Sequence, residues 1–286
     1  MSTVAVIADS AASLPPALAK KWGIVVVPLQ VIVDDHSFCE GEDITPAEVL
    51  AHLIAGRAVT TSQPSVRAFE DAYRRAAEAG ATGVVAVLIS GDMSGTVNAA
   101  RKAAQGATIP IEVVDTHTVA MATGFAALAA SALSAQGADV AAVAQRAREV
   151  ASSALCVFTL DSLEYLRKGG RISAATAAIG DALSLRPIIE IREGKLAVLD
   201  RVRTTARARN AMLDVLDGQL QRFTRPAAAI MVLGEEQYGD DAASLVETRH
   251  PELTMLVRTP VSAVLAAHAG PGVLAAVVAD LPADLR

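Results

Sequence analysis

The sequence predicts an α/β protein in two domains: a mostly parallel N-terminal sheet with helices over residues 1–151, then a mixed-sheet α+β domain over 152–286. Three observations predict it. Short β-branched runs alternate with helical stretches through the first half, the pattern of strand–helix–strand units feeding a parallel sheet. After residue 152 that alternation gives way to a hairpin signal and short apolar runs. The chain has 286 residues, 52% of them hydrophobic, enough to bury two cores at roughly 100–200 residues per domain.

In order, Val4–Ala8 reads as a strand ending in Asp9, and Pro15–Trp22 as a short helix opened by Ser13-Leu14-Pro15. Ile24–Val33 is apolar and β-branched, a buried strand. Pro46–Ala55 and Val66–Ala79 read as helices, the second with Phe69, Ala72, Tyr73 and Ala76 on one face. Val84–Ile89 is a strand, Thr96–Ala104 a helix, Ile111–Val114 a strand, and Val119–Leu133 and Val140–Ala151 are helices. The second half opens with the strand Leu155–Leu160, the helical Leu163–Lys168 and a helix over Ala174–Leu183. Pro187–Ile191 and Leu196–Arg203 form a hairpin around Glu193-Gly194-Lys195. Helices over Thr205–Arg222 and Asp240–Arg249 flank a strand at Ala228–Leu233, and the chain closes on short apolar strands at Thr254–Val257, Ser262–Ala267 and Val273–Val278.

Composition removes several classes of function. A net charge of −6 gives no basic surface for nucleic acid. Two cysteines, Cys39 and Cys156, make no disulfide framework or CxxC motif, and the N-terminus lacks the basic and long apolar regions of a signal peptide. Thr118–Ala138 and Thr259–Ala279 carry no charged residue, yet the first is mostly small residues and the second is interrupted by His268-Ala269-Gly270-Pro271-Gly272. Both read as buried elements of a cytoplasmic protein, without stable membrane insertion. Walker A, dinucleotide and HExxH motifs are absent, so no cofactor or metal is expected.

Four segments carry candidate chemistry. Ser90-Gly91-Asp92-Met93-Ser94-Gly95-Thr96 joins a strand to a helix start, where free N–H groups and hydroxyls suit a phosphate or carboxylate. Ser94 and Thr96 capping the helix is the plainer alternative, and the two are compatible. The spacing Gly91-x-x-Ser94-Gly95 is off register for a nucleophile elbow, so a small-molecule hydrolase or phosphotransferase using Ser94 and His268 stands as the second reading. Thr60-Thr61-Ser62-Gln63-Pro64-Ser65 is either a polar turn or a set of neutral donors, with Ser65 capping the next helix and Ala68 precluding a capping box. Arg167, Lys168, Arg171, Arg186, Arg201 and Arg203 are solvated edge charges or an anion site, Arg201 and Arg203 facing the same way on a strand. His268, before a Gly-Pro-Gly turn in an uncharged run, is a core histidine or a site residue. Asp9, at the carboxyl end of the first strand, is structural or touches a ligand.

Taken together these segments resemble the DegV family. The matching residues are Ala8-Asp9-Ser10, Thr61-Ser62-Gln63-Pro64-Ser65, Ser94-Gly95-Thr96 and Val114-Asp115-Thr116, then Leu163-Glu164-Tyr165-Leu166-Arg167-Lys168-Gly169-Gly170-Arg171-Ile172-Ser173. Arg186-Pro187 with Gly194-Lys195-Leu196, and His268-x-Gly270-Pro271-Gly272, complete the order along nearly the whole chain. The resemblance implies a DegV-like fold binding one long-chain fatty acid, such as palmitate, between its domains, with no catalytic machinery of its own. In the FakB branch the carboxylate is presented to a separate fatty acid kinase for acyl-phosphate formation in lipid metabolism. By the same resemblance Thr61 and Ser94 hold the carboxylate, with Ser62, Gly95 and Thr96 as neighbours and Arg171, Arg203 and His268 as basic residues near the head group. Gly91 and Val97 stand where the family often has a second serine and a tyrosine.

Overall fold

A computed structural model describes residues 3–172, 185–234 and 236–285. Strands β1 (Val4–Asp9), β2 (Val25–Val27), β6 (Gly83–Leu88) and β7 (Ile111–Asp115) form a wholly parallel sheet in the order β2-β1-β6-β7. Helices α3 (Val66–Glu78) and α4 (Thr96–Ala104) cover one face, through Phe69, Tyr73, Val97 and Ala100 against Ile7, Val84 and Ala86. Helices α5 (Met121–Ser134) and α6 (Val140–Ser153) cover the other, against Val6, Ala8, Val85 and Val87. Burial on both faces is why β6 is apolar without alternation, every residue of it buried.

The second sheet runs β10-β9-β8-β13-β11-β12, built from β8 (Leu155–Thr159), β9 (Arg186–Arg192), β10 (Lys195–Val202), β11 (Pro226–Val232), β12 (Met255–Pro260) and β13 (Leu274–Asp280). Only β11 and β12 pair in parallel; the other neighbours are antiparallel, giving the mixed sheet expected. Its residues alternate. Val157, Ile188, Ile230, Ala276 and Val278 meet helices α8 (Thr205–Leu220) and α9 (Glu236–Arg249), while Cys156, Phe158, Ala229, Met231 and Val277 face α5 and α6. One layer of helices therefore serves both sheets. All of α5 except Leu133 is buried, which explains its uncharged sequence, and no described helix is long and apolar enough to cross a membrane.

The remaining elements frame the site. Strands β3 (Gln30–Val33), β4 (His36–Cys39) and β5 (Val59–Ser62) make a small antiparallel sheet. Helix α10 (Ala263–Ala269) packs against β3, β5 and helix α2 (Pro46–Ile54), and also against the short helix α7 (Glu164–Lys168). Helix α1 (Pro16–Lys21) joins β1 to β2.

Three expectations are corrected. Ile24–Val33 is two strands in different sheets, because Pro28 lacks the N–H a continuous ladder needs. The stretch Thr60–Ser62 is strand rather than turn, its hydroxyl residues paired with β3, and β4 was not foreseen either. Ser262–Ala267 is not a strand. Ser262 caps α10 by accepting the N–H of Leu265, and the alanine-rich run continues as helix, which a short apolar stretch does not reveal by periodicity. The helix expected over Ala174–Leu183, and Ser173, lie outside the described residues.

Candidate functional site

On the mixed sheet, walled by α10, β5 and the loops that follow β6 and β7, lies a cavity of about 360 Å³, within the range of ligand pockets. Thr61, Ser62, Gln63, Met93, Ser94 and Gly95 line it from the first half of the chain, Arg171, Leu196 and His268 from the second. Deeper in, the lining turns apolar, with Leu29, Ile89, Phe158, Met231 and Ala275.

Each polar side chain is placed by its element. Pairing of β5 with β3 puts Thr61 opposite Val31, and the Thr61 hydroxyl lies 2.7 Å from His268 Nε2. His268 sits in the last turn of α10, whose N-terminus is tied to the first half of the chain. Glu40, buried, accepts the N–H of Val264 at 3.0 Å and the hydroxyl of Ser10, and Ser13 accepts the N–H of Ser262 at 3.2 Å. Burial pushes the Glu40 carboxyl up, against the hydrogen bonds that Ser10 and the start of α10 give it. After α10 the chain turns at Gly270 with φ +78°, and a Cβ there would come within 2.2 Å of the Tyr165 ring.

Ser94 stands before α4. Its hydroxyl is 2.8 Å from that of Thr96 and accepts the Thr96 N–H at 3.3 Å. The helix N-cap is Gly95, which has no capping side chain, so Ser94 reaches across the helix start instead of capping it. Thr96 itself is fully buried and absent from the cavity lining. Arg171 bridges the halves: its Nε donates to the Met93 carbonyl at 3.3 Å and its Nη1 to Gly169 at 2.5 Å. A guanidinium carries five donors, so further ones stay available to an anion.

The electrostatics differ from what the sequence suggests. Burial, and then the charge of Arg171, lower the His268 imidazole to about 4, leaving it neutral at pH 7. Its Nδ1 is buried with no hydrogen-bond partner among the described residues. Arg171 therefore supplies the positive charge at this end. Arg203 does not join it. It follows the end of β10, is exposed and lies outside the cavity lining, and Arg201, whose Nε is buried without a partner among the described residues, does not share its environment. The ladder with β9 still holds Arg201, opposite Pro187, but β10 ends at Val202, so Arg203 lies beyond the strand and the same-side reading of the two arginines fails. Arg167 and Lys168 are exposed, Lys168 pairing with Glu164, and Arg186 pairs with Asp161.

Asp9 is structural. It is fully buried and accepts the Ile89 N–H at 2.7 Å, fixing the edge of β6 behind the cavity wall. Ser94 bonds Thr96 and His268 bonds Thr61, so the nucleophile–base pair of the hydrolase alternative is not formed. Among the described residues no cluster of His, Cys, Asp or Glu is arranged to hold a metal.

Sequence reasoning missed part of the wall. Gln63 and Met93 sit within the quoted motifs but were not singled out, and the tip of the β9–β10 hairpin was not foreseen as a cover. Leu196 and Ile191 line the cavity while the Ser90 hydroxyl donates to the Gly194 carbonyl at 2.8 Å and Lys195 pairs with Asp92 at 3.6 Å. The signal was Gly194-Lys195-Leu196, whose glycine has φ +81° and whose Cβ would stand 2.7 Å from Ser90 Oγ.

An apolar cavity ending in neutral hydroxyls and one guanidinium suits an amphiphile with an anionic head: the tail is buried without cost, and the anion receives donors. Comparison with known proteins agrees in fold and family. The model of the DegV family matches residues 3–280. A DegV domain-containing protein of Streptomyces coelicolor is 38% identical over 277 residues, 97% of this chain and 98% of its own. Among solved structures, a DegV family protein from Thermus thermophilus described for fatty acid binding superimposes with TM-score 0.88 at 31% identity, over 98% of this chain and all of that one, 100%. A Thermotoga maritima protein described as revealing fatty acid binding function gives TM-score 0.83 at 25% identity, over 98% and 100% of the two chains. The chain belongs to the DegV family.

Proposed function

We propose that this protein binds one long-chain fatty acid between an N-terminal domain, residues 1–151, and a C-terminal domain, residues 152–286, in the cytoplasm and without chemistry of its own. The observation that carries the reading is the join of an apolar cavity to Thr61, Ser94 and Arg171 at one end. The tail of a C16 acid contributes on the order of 10 kcal/mol at about 0.8 kcal/mol per methylene before the cost of association. A carboxylate brought in with it needs donors, which the two hydroxyls and the guanidinium provide. Ser62 and Gly95 flank the head group, and Thr96 acts through Ser94.

Presentation of the bound acid to a partner fatty acid kinase extends this reading. Arg171 offers a cation to both a carboxylate and the acyl-phosphate that would follow, and exposed Arg203 is available to a partner rather than to the ligand. Mass spectrometry of the purified protein under native and then denaturing conditions tests the first part. A stoichiometric adduct released as a C14–C18 acid supports it; a protein that is empty and refuses added palmitate and oleate sinks it. Acyl-phosphate trapping with a fatty acid kinase and ATP tests the second.

A further inference from the structure

The cavity stops at a definite depth, and the sheet register shows where. Next to the Gly270–Gly272 turn, Leu274 pairs with Thr159 and Val232. One step down β13, Ala275 lies beside Phe158 and Met231, and all three line the cavity. Two residues further, about 6.8 Å along the strands, the same face carries Val277 between Cys156 and Ala229. In that row only Cys156 lines the cavity, whereas Val277 and Ala229 are outside the lining, on the part of the sheet packed by α5 and α6. The next row, Ala279 beside Ala227, is outside the lining too. Open space therefore gives way to close packing at the level of Cys156, opposite the end that holds Thr61 and His268.

We propose that Cys156 is the floor of the acyl site and sets the chain length the protein accepts, the terminal methyl resting against its thiol. This rests on the fatty-acid reading above. A thiol in apolar surroundings behaves as a small hydrophobic group, so the floor is apolar and compact. A larger side chain there removes depth one methylene at a time, and each methylene left unburied costs about fourfold in affinity, equivalent to about 0.8 kcal/mol.

The test offers wild type and Cys156→Phe an equimolar ladder of saturated C10 to C18 acids and reads the retained acids by denaturing mass spectrometry. The expected result is a profile displaced toward shorter chains by about two carbons or more in the variant, with total occupancy kept. An unchanged profile in a folded variant overturns the proposal. Should the phenylalanine prevent folding, Cys156→Met, bulkier than cysteine but flexible, is read in the same way. A crystal structure of wild type with palmitate gives an independent measure. A terminal carbon within about 4.5 Å of Cys156 Sγ supports the proposal, and a chain that ends against Leu29 or Ala120 overturns it. If wild type retains no acid from the ladder, the proposal falls, and the wild-type result alone identifies the fatty-acid reading as the cause.

Discussion

Thr61 Oγ1 lies 2.7 Å from His268 Nε2, although 207 positions of sequence separate the two residues. The contact joins the end of a small antiparallel strand to the last turn of a helix from the other half of the chain. It places a neutral hydroxyl and a neutral imidazole side by side at the polar end of an apolar cavity, with Arg171 as the adjacent charge.

In the proposed site, Thr61→Ala and Ser94→Ala would each remove one hydroxyl donor to the carboxylate. A hydrogen bond to a charged group contributes about 1.5–3 kcal/mol, so each variant should bind palmitate roughly 10- to 100-fold more weakly. Titration calorimetry or retention of co-purified acid measures this. A double variant that holds lipid as tightly as wild type would show that the head group lies elsewhere.

His268 should titrate near pH 4 in the empty protein, by the imidazole signals in a nuclear magnetic resonance pH series. Binding a carboxylate nearby favours the imidazolium, so palmitate should move that value upward. A folded value below that of the unfolded chain means that stability is lost as the pH falls from about 6.5 toward 4. His268→Gln should flatten this part of the stability curve.

Asp9 works in the opposite direction. Burial raises its carboxyl from 3.8 to about 7, against the opposing hydrogen bond from Ile89 and with some help from the charge of Glu40. Between those values the folded state holds the proton more firmly than the unfolded chain, so stability falls as the pH rises through the window. Asp9→Asn keeps an acceptor for Ile89 and should remove that slope in denaturant melts taken from pH 4 to 8, roughly the span of the shift. A slope identical to wild type would place the proton on another group.

Gly194→Ala should free the hairpin tip. The residue has φ +81°, and its Cβ would meet Ser90 Oγ at 2.7 Å and Asp92 Oδ2 at 2.9 Å. Strain and collision together should cost about 1 kcal/mol or more and lift Leu196 from the cavity. Stopped-flow displacement of a fluorescent fatty acid should then show faster release, with Ser90→Ala giving a smaller change in the same sense. Equal release rates in all three proteins would mean that ligand leaves by another route.

The elements were largely legible in the sequence because apolar period and caps are local. Apolar β6 signalled a sheet covered on both faces, and Ser65 before Val66 signalled the start of α3, where its side chain does accept the Ala68 N–H. The segments around Thr61, Ser94, Arg171 and His268 stood out in the sequence, but each had a plainer use as a turn, a cap, an edge charge or a core residue, and only the family resemblance joined them into one site. Local pattern failed where two structures share one composition. Ser262–Ala267 is apolar enough for a strand or a helix, and packing of α10 against β3, β5 and α2 decided for helix. Tertiary structure alone decided the protonation of His268, since only burial beside Arg171 makes a histidine neutral well below its usual range. It alone separated Arg171, turned into the cavity, from Arg203, left in solvent beyond the end of β10. It alone set the depth of the cavity, because the row in which Cys156 meets Val277 and Ala229 follows from register among three strands distant in sequence, and no local pattern encodes a register.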